Sequence, residues 1–147
     1  ARGLSAVVEE LREISRGIHP AVLSTGGLGP ALRALARRSA VPVELDLRTA
    51  GRLPEPVEVA LHYAVSEALA NATKHADASV VYVELDARAA IVRLVIRDDG
   101  VGGADPSRGS GLVGLSDRID ALGGALEVAS PAGQGTTLLI EIPAGPR

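Results

Sequence analysis

Glu67, Asn71 and Lys74 recur at i, i+4 and i+7 within SEALANATKHA, a run otherwise made mostly of small apolar residues. On an α-helix these positions fall within an arc of roughly 60°. Leu61, Val65, Ala68, Leu69 and Ala72 form a separate stripe suited to packing on a sheet. An acid, an amide and an amine along the edge of a buried face suit the wall of a pocket. A carboxylate such as Glu67 can serve as a general base or orient a water. The neutral oxygen of Asn71 is acceptable to a hard cation such as Mg2+, beside phosphate oxygens and waters. Lys74 brings a point charge to phosphates. The same line also fits the solvated edge of an ordinary amphipathic helix, because Glu and Lys are common on helix surfaces.

Three glycine-rich stretches follow. RDDGVGG (97–103) comes at the end of an apolar run that reads as a strand. A strand end holds Asp98 rigidly, its carboxylate can accept a hydrogen bond from an exocyclic amine such as adenine N6, and glycines let a ligand approach the backbone. A plain Asp-Gly turn is the competing reading. GSGLVG (109–114) matches G-x-G-x-x-G, yet it follows the irregular stretch ADPSR rather than a strand. The dinucleotide fingerprint needs the strand–turn–helix context, so that assignment fails. Glycine-rich backbone leading into a helix N-terminus is still an anion site in physical terms. GQGTT (133–137) reads as a hairpin turn whose threonines offer hydroxyls.

The elements that must position these residues follow from periodicity. Leu4, Val7, Val8, Leu11, Ile14 and Ile18 have helical spacing, ending at Gly17 and Pro20. Residues 30–40 read as a short helix and 42–48 as a strand. Residues 55–76 read as the longest helix, with His62 on its polar side. Strands are expected at 80–87 and 90–98, joined tightly through Ala87, Arg88 and Ala89. A helix over 112–122 stops at Gly123-Gly124, and strands at 125–130 and 136–142 close the chain. Strands arriving mostly in antiparallel pairs, with helices able to cover one face, predict an α+β two-layer sandwich with a mixed, mostly antiparallel sheet.

Composition narrows the partners. The 147 residues include 46% hydrophobic side chains, enough for a core, and that core is aliphatic because Phe and Trp are absent. A formal net charge of −3 supplies no global positive field for nucleic acid. The lack of cysteine excludes disulfides and thiolate metal sites. No apolar run approaches the roughly 20 residues that cross a bilayer. The sequence also lacks methionine, so we expect a segment of a longer protein.

Taken together the four stretches resemble the ATP-binding domain of sensor histidine kinases, a Bergerat-fold member of the wider superfamily of histidine kinases, heat-shock chaperones, mismatch-repair ATPases and type II topoisomerases. SEALANATKHA is similar to the N box, RDDGVGG to the first glycine box, GSGLVGL to the second and GQGTT to the third, in that order over about residues 40–143. The short connection between the first two glycine boxes, and the upstream stretch RGIHPAVLSTGGLGPALRALARRSAVPVEL, resemble the subgroup that pairs with helix-turn-helix response regulators. The resemblance divides the chain into residues 1–40, the end of a dimerisation and phosphotransfer helix with its linker, and residues 41–147, the ATP-binding domain.

The resemblance also implies roles. Asp98 would receive the adenine amine, Gly100 and Gly102 would shape the floor of the base pocket, and Thr136 would support the base. Asn71 would bind Mg2+, Glu67 would help activate the attacking histidine or a water, and Lys74 and His75 would lie near the phosphates. Gly111, Leu112 and Gly114 would shape the lid and its phosphate contacts, the lid running from about Ala104 to Ser110. The implied activity is that of a protein histidine kinase using ATP and Mg2+. Its partners would be its own dimerisation helices, which are missing here, and a response regulator, within a homodimeric full-length kinase and a cytoplasmic setting. Two features depart from the pattern. The Glu-, Arg- and Asp-rich motif of the phosphoacceptor histidine is absent, and His19 in GIHP reads as a structural residue at a helix end. Ser116 stands where relatives often carry a basic residue. Competing readings are a serine kinase of the anti-sigma-factor type, a non-catalytic nucleotide-binding regulatory domain, and a chaperone- or topoisomerase-like ATPase. The GIHP segment argues against the first. Glu67, Asn71 and Asp98 together argue against the second, and the short chain against the third.

Overall fold

A computed structural model describes residues 26–49, 51–102 and 110–144, with the side chains of 75, 76, 110 and 111 outside that description. The helix expected over residues 4–18 and His19 lie outside the described residues. The first described helix, α1, spans Leu28–Arg38. Leu28, Ala31 and Leu32 are buried and Leu35 packs beside them, the i, i+3, i+4, i+7 stripe of an amphipathic helix. Gly27 at φ 83° turns the chain into α1, and Arg37 and Arg38 sit in the last turn, where cations complement the helix dipole.

Strand β1 (Val43–Thr49) leads to the long helix α2 (Glu55–Asn71). Pro54 and Pro56 start α2, and Glu55 and Glu58 occupy its first turn. Strands β2 (Val81–Ala87) and β3 (Ile91–Asp98) form the expected hairpin. Its turn is tightened by Asp86, whose carboxylate accepts from the Arg88 backbone N–H and guanidinium; these contacts hold its pKa down to about 2. Helix α3 (Ser110–Ala121) precedes the antiparallel pair β4 (Ala125–Ala129) and β5 (Thr136–Pro143).

The sheet order is β1-β2-β3-β5-β4. Only β1 and β2 run parallel, joined through α2, and the other pairs are antiparallel. Side chains alternate across the strands. Val81, Val83, Leu85, Val92, Leu94, Ile96, Leu138, Ile140 and Ile142 are buried on the side covered by the helices. Glu84, Arg93, Arg97 and Glu141 lie exposed on the other side. This is the expected mixed α+β sandwich with helices on one face. Alpha1 shares the same core through Leu28, Ala31 and Leu32.

Two expectations for the long helix need correction. His62, read as a surface residue, is buried at 4% exposure. Alpha2 carries buried residues over most of its circumference, from Val57 and Glu58 to Ala68 and Leu69, because α1 and α3 flank it above the sheet. The rest of its circumference, with Tyr63, Ser66, Glu67 and Asn71, is half-buried rather than exposed. The helix also does not stay α to residue 76: Ala72–Ala76 is a π-turn. Thr73 Oγ1 donates to the Leu69 carbonyl at 2.9 Å, and the Ala72 N–H is shared between the Ala68 and Leu69 carbonyls. A hydroxyl competing for the i−4 carbonyl favours the wider turn. Asp77 at φ 51° then ends it.

Glu58 is the one buried carboxylate among the described residues. Arg52 binds it through two parallel bonds, Nη2 to Oε1 at 2.7 Å and Nε to Oε2 at 3.0 Å, and the Leu53 N–H adds a third at 3.2 Å. A charge taken out of water is tolerated only with this degree of satisfaction. Core packing sets the stability that the site draws on. Leu94→Ala at the centre of β3, fully buried, is expected to lower the unfolding free energy by ~2–5 kcal/mol, read from urea denaturation; a loss near zero would place Leu94 outside the core.

Candidate functional site

The register of β3 with β5 brings distant residues together. Asp98, the last residue of β3, is directly opposite Thr136, the first of β5, and on its other side opposite Val81 of β2. Asp98 continues the Val92, Leu94, Ile96 alternation and Thr136 precedes Leu138, Ile140 and Ile142. Both therefore project from the helix-covered face at one end of the sheet. Asp98 is half-buried, and its Oδ1 accepts from the Gly100 N–H at 2.8 Å. That Asx-type turn fixes the carboxylate, and among the described residues no donor takes its Oδ2. The Thr136 hydroxyl lies 2.6 Å from Ser130 Oγ.

The loops after β3 and before β5 are built against each other. The Gly133 N–H donates to the Val101 carbonyl at 2.5 Å. Gly102 has φ 70°, and a Cβ there would be driven into the Pro131 carbonyl oxygen. Gly135 has φ 77°, and a Cβ there would meet the Asp98 carbonyl oxygen. Backbone at these two points approaches backbone too closely for any side chain.

The helices aim at the same sheet end. Alpha2 and its π-turn reach Val81 within a few residues, and Val81 pairs with Asp98. Gly124, just after α3, packs on the Glu141 carbonyl and Ile142, at the far end of β5 from Thr136. The N-terminus of α3 therefore points toward the Asp98–Thr136 end, where the first-turn N–H groups of a helix suit an anion. Tyr63, Glu67 and Asn71 follow one another at i, i+4 and i+8 on one face of α2. That face looks toward α3: the Arg118 guanidinium lies 4.8 Å from the Tyr63 ring centre, and the Tyr63 hydroxyl would be 3.5 Å from a Cβ on Gly114. Glu67 and Asn71 are half-buried.

The structure thus brings Glu67, Asn71, Asp98, Gly100, Gly102 and Thr136 to one end of the sheet. Lys74 departs from the expected line. The π-turn advances each residue by a smaller angle than an α-helix, and Lys74 borders a groove of about 320 Å3 on the α1 side, beside Arg38, Ser66 and Thr73. Leu112 is buried with Leu115 and Ile119 in the core at 5% exposure. Gly114 lets α2 and α3 approach. Gly111 lies in the first turn of α3. The His75 side chain and residues 103–109 of the lid lie outside the described residues. Among the described residues no cluster of three His, Asp or Glu side chains could hold a metal, so a cation at Asn71 would take its other ligands from phosphate and water.

Sequence reasoning missed Asp99. Its Oδ1 accepts from the Ser79 N–H at 2.8 Å and the Val80 N–H at 3.1 Å, and its Oδ2 accepts from the Ser79 hydroxyl. The doubled acid in RDDG carried that signal, but a donor 20 residues away is invisible without the sheet. The Ser79 hydroxyl, then the Ser79 N–H, hold the Asp99 pKa below its ordinary 3.8. A depressed carboxylate stabilises the fold above its unfolded pKa, and that contribution is lost as pH falls through the folded value. The Ser79 and Val80 amide shifts are expected to titrate with a midpoint below 3.8, read by NMR; a midpoint at or above the ordinary value would mean that the clasp is not formed.

Comparison with known proteins agrees with this geometry. The family model described as histidine kinase-, DNA gyrase B-, and HSP90-like ATPase matches residues 57–146. The chain is similar to the signal transduction histidine-protein kinase/phosphatase DegS of Brevibacillus brevis, 35% identical over 91% of this chain and 37% of DegS. It is similar to the sensor histidine kinase NarS of Mycobacterium tuberculosis, 35% identical over 96% of this chain and 35% of NarS. It thus spans little more than a third of these relatives. Among solved structures, the histidine kinase domain of the Erythrobacter litoralis EL346 blue-light activated histidine kinase superposes with a TM-score of 0.61 at 26% identity, over 80% of this chain and 59% of that one. Residues of three motifs brought to one sheet end and a family match over residues 57–146 lead to one conclusion: the chain belongs to the histidine kinase-, DNA gyrase B- and HSP90-like ATPase family, as an ATP-binding domain of the sensor histidine kinase type.

Proposed function

We propose that this chain holds Mg-ATP at the Asp98–Thr136 end of the sheet and, in an intact kinase, delivers the γ-phosphoryl group to a histidine outside residues 1–147 and onward to a response regulator with a helix-turn-helix output. The observation that carries this reading is the Asp98–Thr136 pairing beside two glycines that only close backbone approach explains. The fixed Asp98 carboxylate suits the adenine amine, with Gly100 and Gly102 beneath the base and the Thr136 hydroxyl beside it. Lys74 and His75 on the π-turn, and the first turn of α3 with Gly111, are assigned to the phosphate end. Lys74 would reach it along its flexible four-carbon stem.

Asn71 would hold Mg2+, which offsets triphosphate charge when bound. Glu67, one turn before Asn71 on the same face of α2, would orient the incoming histidine ring and accept its proton. The ring nitrogen then bonds to the γ-phosphorus as the bond to the β–γ bridging oxygen breaks and ADP leaves. Such transfer relies on positioning and charge stabilisation more than on covalent help. Residues 1–40 are assigned to the end of a dimerisation helix and its linker, and 41–147 to the ATP-binding domain. The full-length kinase would be a homodimer with this domain on the cytoplasmic side. Among the described residues no helix is long and apolar enough to cross a membrane.

Calorimetric titration with a non-hydrolysable ATP analogue, with and without Mg2+ and with GTP as competitor, tests the reading; no binding at millimolar ligand would sink it. Asp98→Asn is expected to weaken binding by about 1.5–3 kcal/mol, roughly 10- to 150-fold, and an unchanged dissociation constant would remove the adenine role. Asn71→Ala is expected to abolish the Mg2+ dependence of binding and leave the circular dichroism spectrum intact; persistence of that dependence would remove the metal role.

A further inference from the structure

Asp98 and Asp99 are neighbours with different work. Asp98 faces the site, whereas Asp99 lies exposed past the end of β3 and turns its carboxylate to the segment that joins the π-turn to β2. That segment is short. Asp77 ends the π-turn in the left-handed region, and Val81 begins the ladder opposite Asp98. Between them Ser79 and Val80 make three bonds to Asp99, two from backbone N–H groups and one from the Ser79 hydroxyl. One end of the segment carries Lys74 and His75, and the other is in register with Asp98.

We infer that Asp99 is a positioning residue for the nucleotide: by clasping Ser79 and Val80 it sets the separation between the base end of the site at Asp98 and the phosphate end at the π-turn. The inference rests on the nucleotide reading above. It is separable from charge effects by sign. A carboxylate near a triphosphate repels it, so if charge were its only influence, removing Asp99 would raise ATP affinity. If the clasp positions the π-turn, removal lowers ATP affinity and leaves adenosine, which lacks phosphates, nearly unaffected. Asparagine keeps an Oδ1 acceptor for both backbone N–H groups and so preserves most of the clasp without the charge.

The experiment is NMR titration of this chain and its variants with adenosine and with Mg-ATP. In Asp99→Ala the preference for ATP over adenosine is expected to fall about tenfold, with adenosine affinity changed less than about twofold. Asp99→Asn should restore most of the preference. Ser79→Ala removes one donor of three and should shift the preference the same way by about twofold, so it decides the matter if Asp99→Ala does not fold. A preference unchanged or raised in the folded alanine variant, or equal losses for adenosine and ATP, would overturn the positioning role while the nucleotide reading stands. Failure of the unmodified chain to bind either ligand would overturn the nucleotide reading and the inference with it.

Discussion

Everything at the site depends on one constraint, the close approach of two loop backbones at the end of β3 and β5. The ladder from Ile91–Pro143 to Asp98–Thr136 runs without interruption. Where it ends, the chains on either side still touch, through Gly133 on Val101, Gly102 on Pro131 and Gly135 on Asp98. Three positive-φ glycines, Gly102, Gly133 and Gly135, make that contact possible. The contact turns a strand end into a rigid seat for a carboxylate. The helices then need only deliver their ends to that seat. Alpha2 does so through the single parallel crossover from β1 to β2, and α3 through the turn at Gly123-Gly124 that returns the chain to β4.

Much of this was legible in the sequence. Periodicity located the five strands and the three described helices to within a few residues, because each buried face keeps its stripe. Leu61, Val65, Ala68, Leu69 and Ala72 are all buried as expected, and the strand alternation identified the inner face. The motifs were legible too, since acid, amide and glycine at fixed spacing mark close approach and polar recognition.

What sequence periodicity could not show is where a helix has more than one neighbour. His62 falls at a polar phase, yet it is buried, on a helix that has α1 and α3 as neighbours besides the sheet. Leu112 lies inside a glycine motif, yet it belongs to the same apolar stripe as Leu115 and Ile119. The π-turn was hidden because it comes from a hydroxyl at Thr73 competing for a carbonyl, which a pattern of 3.6 residues does not register. It is also why Lys74 lies toward α1 rather than in line with Glu67 and Asn71. The clasps at Asp99 and Glu58 join residues whose relation exists only once strands and helices are in place.

Among the described residues the sheet ends in two strands of different character. Beta4 is only five residues long, and β1 carries Glu44, Asp46 and Arg48 on its outer positions, with Arg48 folded back onto Asp46. Brief or charged borders are poor templates for a foreign strand. A kinase domain made in quantity and brought near copies of itself therefore resists strand-by-strand polymerisation at these borders, which leaves self-association to surfaces made of side chains.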